Sequence, residues 1–463
     1  MTRTEPRRRG VLWTPENRWT TAGLLLVVTL LAFENMGVAT AMPTMVADLD
    51  GGELYSWPFT AHLVASVAAT VLSGRVCDRR GPTLSLLVGP WIFLAGLVAA
   101  GAAPTMEVLL VGRVLQGFGS GVLMVATSLL VALTYDDRER PVMYAAFAAA
   151  WVLPAVVGPS IAGLVTETAG WRWVFLGLVP LMPLGMGLLV PVVRRLPAHV
   201  PDPAARRAGI VAAVTVALAV AALMWAAQHP SPVALGYGAV ALVVAAVALR
   251  TLLPHGTLRA RPGLPTVVAS RALLGGAFAG MEAYLPLIMS QVHGHNAAVA
   301  GLPLTVAALS WSAGSAVQGR KPDWSRAALL RAGFGLVAAG LALFSLVAWG
   351  GAPAWVAFAA SACGGAGMGI ATPSISVLLM RLSPVAERGF NTSAMQLGDW
   401  ISSALTIGAG GALLAVLAGG ASDPSGAVTT LALALALVAV LGVVLAGRGL
   451  RVEGIDGTGP ERA

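Results

Sequence analysis

The sequence predicts an all-α polytopic membrane protein with fourteen transmembrane helices, and three observations carry that prediction. Hydrophobic residues make up 57% of the chain and charged residues only 11%, with mean hydropathy +0.80, whereas a soluble domain carries about 25% charged residues. The apolar residues fall into fourteen runs, each close to the roughly 20 residues a helix needs to cross the hydrocarbon core. The basic residues alternate: of the 29 Lys and Arg, all but Arg113, Arg172 and Arg271 lie in every second linker, counted from the N-terminus. Cytoplasmic loops collect Lys and Arg. Both termini are therefore expected in the cytoplasm, with an even number of crossings of the inner or plasma membrane.

Taken in order, the first six runs are 19–46, 56–74, 83–103, 106–133, 141–165 and 171–193. The first is too long for a signal-peptide core and has no convincing cleavage site, so it is expected to stay as a helix. Runs 207–227 and 232–250 follow, rich in Ala and Val with almost no polar side chains. The last six are 264–290, 297–318, 327–348, 353–380, 389–418 and 427–447. Linkers are short, and the longest two flank the middle pair. A weak repeat joins the outer sets. Gly74-Arg75 with Asp78 returns as Gly319-Arg320 with Asp323, 245 residues on, and Gly117, Gly119 and Gly121 return as Gly365, Gly367 and Gly369, 248 residues on. The expected domains are an N-terminal six-helix bundle over 1–200, an inserted helix pair over 201–260 and a C-terminal six-helix bundle over 261–463.

Several function classes drop out. The formal charge of +8 is scattered over many short linkers and forms no contiguous basic face, so nucleic acid is not an expected partner. Cys77, in the linker after the second run, and Cys363, inside the twelfth, do not suit a disulfide. His293 and His295 are expected in an outer loop without further ligands, so no metal site is expected. No glycine-rich phosphate loop with a lysine occurs, which excludes ATP as the energy source. Neither enzyme chemistry nor a cofactor is expected.

Between the second and third runs lies Leu72-Ser-Gly-Arg-Val-Cys-Asp-Arg-Arg-Gly-Pro82, read as a short charged loop. Gly74 and Gly81 would let two helices turn with their backbones close, and Asp78 sits among Arg75, Arg79 and Arg80. The G-x-x-x-D-R-x-G spacing resembles the signature loop between the second and third helices of major facilitator transporters. That resemblance implies the fourteen-helix drug:proton antiporter layout, in which two six-helix bundles rock about a site near the bilayer midplane. It implies conformational-switch roles for Gly74, Arg75, Asp78, Arg79 and Gly81. Asp78 is expected to pair with a basic side chain or the start of a facing helix near Gly389.

Other stretches agree with the resemblance. Phe33-Glu-Asn-Met-Gly-Val-Ala-Thr-Ala-Met-Pro43 holds a carboxyl mid-helix, which costs about 3 kcal/mol or more in lipid unless it faces protein or water. The antiporters carry an Asp nine residues before the final proline; Glu34 holds that place, with Met36 where a Thr is usual. A protonatable cavity residue is implied, and a structural Glu bonded to a neighbouring helix is the plainer alternative. Gly112-Arg-Val-Leu-Gln-Gly-Phe-Gly-Ser-Gly121 resembles the family's R-x-x-Q-G-x-G. Arg113 in hydrocarbon needs an acid or a proton site, and Gln116 lies on its side of the helix. Pro154-Ala-Val-Val-Gly-Pro-Ser-Ile-Ala-Gly163 resembles the motif of the exporters, with Gly158, Pro159 and Gly163 in place and Pro154 and Ala162 where glycines are usual. A Gly-Pro pair loosens the helix ladder and permits a bend. Gly170-Trp-Arg-Trp-Val-Phe175 is expected to anchor a helix end at the outer interface.

Two more acids, Glu282 and Asp399, lie inside apolar runs. Each could bind a cation, relay a proton or pair with an arginine. The reading assigns proton coupling to Glu34, Asp399 and Arg113, and substrate contacts to Glu282, Gln116, Asn35 and Tyr284. The switch set adds Gly158, Pro159 and Gly163. The expected function is proton-coupled export of a hydrophobic, often cationic small molecule such as a drug or secondary metabolite, by a monomer in the lipid bilayer. Export of a lipid-like molecule is one alternative. A non-transporting scaffold or sensor is the other, and three intramembrane acids with Arg113 weigh against it, because unused buried charge is costly.

Overall fold

The computed structural model describes residues 12–15, 17–135, 140–196, 209–229, 231–319, 324–384, 387–417 and 423–450. Among these residues the chain forms helices and no strand. The first set is α1 (Arg18–Asp48), α2 (Trp57–Arg80), α3 (Thr83–Gly101), α4 (Met106–Thr134), α5 (Arg140–Thr168), α6 (Arg172–Leu176) and α7 (Leu181–Val193). The inserted pair is α8 (Ile210–Gln228) and α9 (Pro232–Leu252). The last set is α10 (Leu264–Gln291), α11 (Ala297–Gly319), α12 (Arg326–Ala348), α13 (Val356–Leu382), α14 (Arg388–Leu417) and α15 (Ser425–Gly449). They supply fourteen spans long and apolar enough to cross a membrane, α6 and α7 sharing one. Fourteen crossings put the start of α1 and the end of α15 on one face, called here the terminal face.

Two expectations need correction. The charged stretch after Leu72 is not a loop: α2 runs on to Arg80, and only Gly81 and Pro82 connect it to α3. Hydropathy falls there, but helical hydrogen bonding does not depend on hydropathy, and Arg79 and Arg80 in the last turn suit its negative dipole end. Gly81, at φ 73°, makes the turn. Gly74 permits no close approach, since a Cβ there would meet nothing within 4 Å. Arg75, Cys77 and Arg79 lie on the helix with it, and the Asp78 side chain and the Arg320–Asp323 echo lie outside the described residues. The sixth span is also broken. Gly177 weakens the helix and Pro180, lacking an amide hydrogen, restarts it as the N-cap of α7.

Packing repeats between the two bundles. α4 lies between α2 and α3 as α13 lies between α11 and α12, and α1 packs on α5 as α10 packs on α14. The glycine repeat read from the sequence sits in these seams. A Cβ on Gly117 or Gly121 would strike α2 and one on Gly119 would strike α3, while Gly365 and Gly369 face α11 and Gly367 faces α12 in the same way. The bundles meet along α5–α11 and α2–α14. Against the second seam lies α8, touching both bundles: Val216, Val220 and Met224 share a cluster with Val67 and Val71 of α2 and Leu397, Ile401 and Ala404 of α14. α9 packs on α8 and turns its other side outward.

Candidate functional site

The centre of the first bundle holds a buried ion pair. Arg113 on α4 donates through Nη1 to Glu34 of α1 and, at 2.7 Å, to Gln116 Oε1; its Nε donates to the Pro58 carbonyl at 3.0 Å. Glu34, Arg113 and Gln116 are each no more than 2% exposed. Such a pair repays its desolvation only when further hydrogen bonds complete it, and here the amide and the carbonyl do so. Gln116 Nε2 is left without a partner among the described residues.

One turn beyond Pro58, on the same side of α2, stands His62. It is buried, its Nε2 lies 3.5 Å from Ser120 Oγ, and its Nδ1 has no partner among the described residues. The close approach of Gly117 to the His62 backbone sets this geometry. It lines up Pro58 and His62 against Arg113, Gln116 and Ser120 at helical spacing. Sequence reasoning missed His62 because it belongs to no motif; a lone ionisable residue inside an apolar run was the available signal.

The second bundle holds a different pair. Arg271 on α10 donates through Nη2 to Asp399 Oδ2 on α14 at 2.6 Å and through Nη1 to Thr372 Oγ1 at 3.1 Å. The Arg271 and Asp399 side chains are 14% and 11% exposed, and Asp399 Oδ1 has no partner among the described residues. Glu282 is not part of it. This half-buried acid makes no hydrogen bond or ion pair among the described residues. At the 248-residue offset that relates the glycines of α4 to those of α13, Arg113 is replaced by Ser361. Ser361 is fully buried and its hydroxyl has no partner among the described residues. The first helix of each bundle carries an acid, but the second bundle has no arginine at the position of Arg113.

The remaining sequence-predicted residues separate. Asn35 is half-buried beside Glu34 and has no partner among the described residues. Tyr284 is fully buried; its hydroxyl donates to the Ile407 carbonyl and its ring stacks on Tyr55 at 5.4 Å, while Tyr55 donates to the Ala283 carbonyl at 2.9 Å. Tyr284 therefore helps close the bundles together on the face opposite the termini. Gly163 lies in the same closure, where a Cβ would come 2.5 Å from Ala298 Cα of α11. One turn on, Glu167 accepts from the Ala298 amide at 2.7 Å and from Asn296 Nδ2 at 3.2 Å. Gly158 faces Phe33 and Met36 of α1, and the Pro159 carbonyl faces Gly301 of α11. Trp171 is buried and bonds Asp48, so of the motif's two tryptophans only Trp173 is exposed, at 54%.

The model of the Major Facilitator Superfamily matches residues 24–407. The chain belongs to the Major Facilitator Superfamily. Among curated relatives, it is 32% identical over 168 residues to multidrug resistance protein 3 of Bacillus subtilis, covering 36% of this chain and 33% of that one. To a multidrug efflux pump of Staphylococcus aureus it is 29% identical over 171 residues, covering 37% and 38%. To a probable multidrug-efflux transporter of Mycobacterium tuberculosis it is 36% identical over 166 residues, covering 36% and 35%. The chain thus matches about a third of the length of these relatives. Its fold is similar to that of an auto-inhibited POT family peptide transporter, with TM-score 0.69, 16% identity and coverage of 95% and 98%. It is also similar to a D-xylose-proton symporter, with TM-score 0.67, 14% identity and coverage of 96% and 99%. A multi-pass membrane protein of a transporter family is the identity these findings give.

Proposed function

We propose that this chain exports hydrophobic cationic small molecules in exchange for protons, with both termini in the cytoplasm. The observation that carries the reading is the unequal treatment of two acids in the first helices of the two bundles: Glu34 is locked to Arg113 while Glu282 has no ion pair among the described residues. The names of the relatives, multidrug efflux proteins, support the substrate class. A carboxyl that alternates between a guanidinium and no partner differs in proton affinity between the two states, which is what coupling needs. Glu34 is the proton carrier in this reading, with Arg113 and Gln116 as its holders and the Arg271–Asp399 pair as a second station. Glu282 and Asn35 meet the substrate, and a lone carboxylate in a low-dielectric cavity favours a cation. Export fits the motif at Gly158, Pro159 and Gly163, which lies against the α11 seam where rocking bundles would separate. Bundles over 1–200 and 261–463 would rock about the inserted pair over 201–260.

The test uses proteoliposomes and ethidium under an imposed pH gradient. Wild-type protein is expected to move ethidium against its own gradient until a protonophore collapses the pH difference. Glu34→Gln should abolish that movement while purified protein still binds a neutral substrate. Gradient-driven movement at the wild-type rate in Glu34→Gln would overturn the assignment.

A further inference from the structure

The linker between α9 and α10 is a built structure. Gly256 has φ 92° and Ala260 φ 44°, and a residue with a Cβ enters the left-handed region at a cost. Hydrogen bonds hold that backbone. The Gly256 carbonyl accepts from the amides of Arg259 at 3.0 Å and Arg261 at 3.2 Å. Thr266 Oγ1 donates to the carbonyls of Ala260 at 3.0 Å and Arg261 at 2.8 Å. The Gly263 amide donates to the Gly449 carbonyl at 3.0 Å, tying the linker to the end of α15.

This backbone surrounds a cavity of about 240 Å³ whose lining includes Arg250, His255, Arg259 and Arg261 and no acid. None of the three arginines makes an ion pair among the described residues. Charge alternation alone explains basic linkers on the terminal face. It does not explain three arginines, without an ion pair among the described residues, lining one cavity beside a strained, hydrogen-bonded turn. α9 adds a second, independent feature. Val240, Val243 and Val247 are each more than half exposed, and they lie with Arg250 along one stripe of the helix at spacings of three and four residues. Apolar stripe and basic cavity are continuous along α9, since Arg250 belongs to both.

We propose that the cavity binds the phosphate of an anionic membrane phospholipid, whose acyl chains lie along the Val240–Val247 stripe of α9. Guanidinium forks match phosphate oxygens in bidentate geometry, and basic residues at a membrane face draw anionic headgroups. The continuous stripe favours a lipid over a soluble phosphate. The site would sit on the helix pair that touches both bundles, separate from the Glu34 and Glu282 sites.

Native mass spectrometry of delipidated protein in a neutral detergent tests this, with phosphatidylglycerol, phosphatidylcholine or inorganic phosphate added. Wild-type protein is expected to retain phosphatidylglycerol over phosphatidylcholine by on the order of tenfold, and inorganic phosphate at equal concentration should not displace it. Arg250→Gln/Arg259→Gln/Arg261→Gln should remove the preference. Arg194→Gln/Arg195→Gln, which neutralises an exposed basic pair in another terminal-face linker, should keep it. Because the preference is a ratio read within each folded variant, a general loss of stability does not imitate the result. Equal retention of the two lipids, a preference that survives the triple substitution, or displacement by inorganic phosphate would overturn the proposal.

Discussion

In the first bundle Glu34 is bound to Arg113, and Gln116 and the Pro58 carbonyl complete the guanidinium's shell. In the first helix of the second bundle Glu282 makes no ion pair among the described residues, and Ser361 occupies the arginine's position with a hydroxyl that has no partner among them. The second bundle has instead built its ion pair elsewhere, between Arg271 and Asp399, where it is wetter. Duplicated architecture has thus been kept while its charges were redistributed. A carboxyl with a fixed partner and one without are chemically different devices. The first can change proton affinity when its partner moves, and the second can take a cation from outside.

Removing Arg113 should have the largest effect. Arg113→Ala leaves a buried carboxylate uncompensated, which costs about 3–5 kcal/mol, and should appear as a much lowered unfolding midpoint in detergent. Adding Glu34→Gln to it should recover most of that loss. If the double substitution is no more stable than Arg113→Ala, charge pairing is not what Arg113 supplies. Arg271→Ala should cost less, about 1–3 kcal/mol, because the pair is partly hydrated. A cost equal to that at Arg113 would erase the distinction between the two pairs.

Glu282→Gln sharpens the comparison from the other side. With no partner to lose, it should change the unfolding midpoint little, while the Kd of ethidium rises about tenfold, equivalent to about 1.4 kcal/mol, and that of a neutral substrate stays the same. Equal weakening of both ligands would mean that Glu282 does not recognise charge. The smallest effect is expected at the closure between the bundles. Glu167→Ala removes the exposed cap on α11 and should cost at most about 1 kcal/mol, yet raise the labelling rate of a cysteine placed at Gly301. Unchanged labelling would show that Glu167 does not hold that seam shut.

Hydropathy made the spans legible, since a bilayer demands long apolar runs whatever the tertiary structure. It misplaced the end of α2 for the same reason: beyond Leu72 the sequence turns polar, but the helix continues to Arg80 on backbone hydrogen bonds. The break at Gly177–Pro180 was present in the residues but hidden inside one apolar run. At the site, Glu34 and Arg113 were readable through motifs, each conspicuous as a charge in hydrocarbon. Their pairing across 79 residues was not, because it depends on how α1 and α4 pack. Arg271 drew no role for that reason, its partner being 128 residues away. The repeat placed Ser361 at the position of Arg113, but that Glu282 makes no ion pair among the described residues is visible only in the packing.

Proton release from purified, weakly buffered protein on adding ethidium tests the division of labour most directly. Wild-type protein is expected to release protons as ethidium binds. Glu282→Gln should do so only at higher ethidium concentration, and Glu34→Gln should bind ethidium while releasing none. Full proton release by Glu34→Gln, or its loss in Glu282→Gln at saturating ethidium, would contradict the assignment of the proton to the paired acid and the cation to the unpaired one.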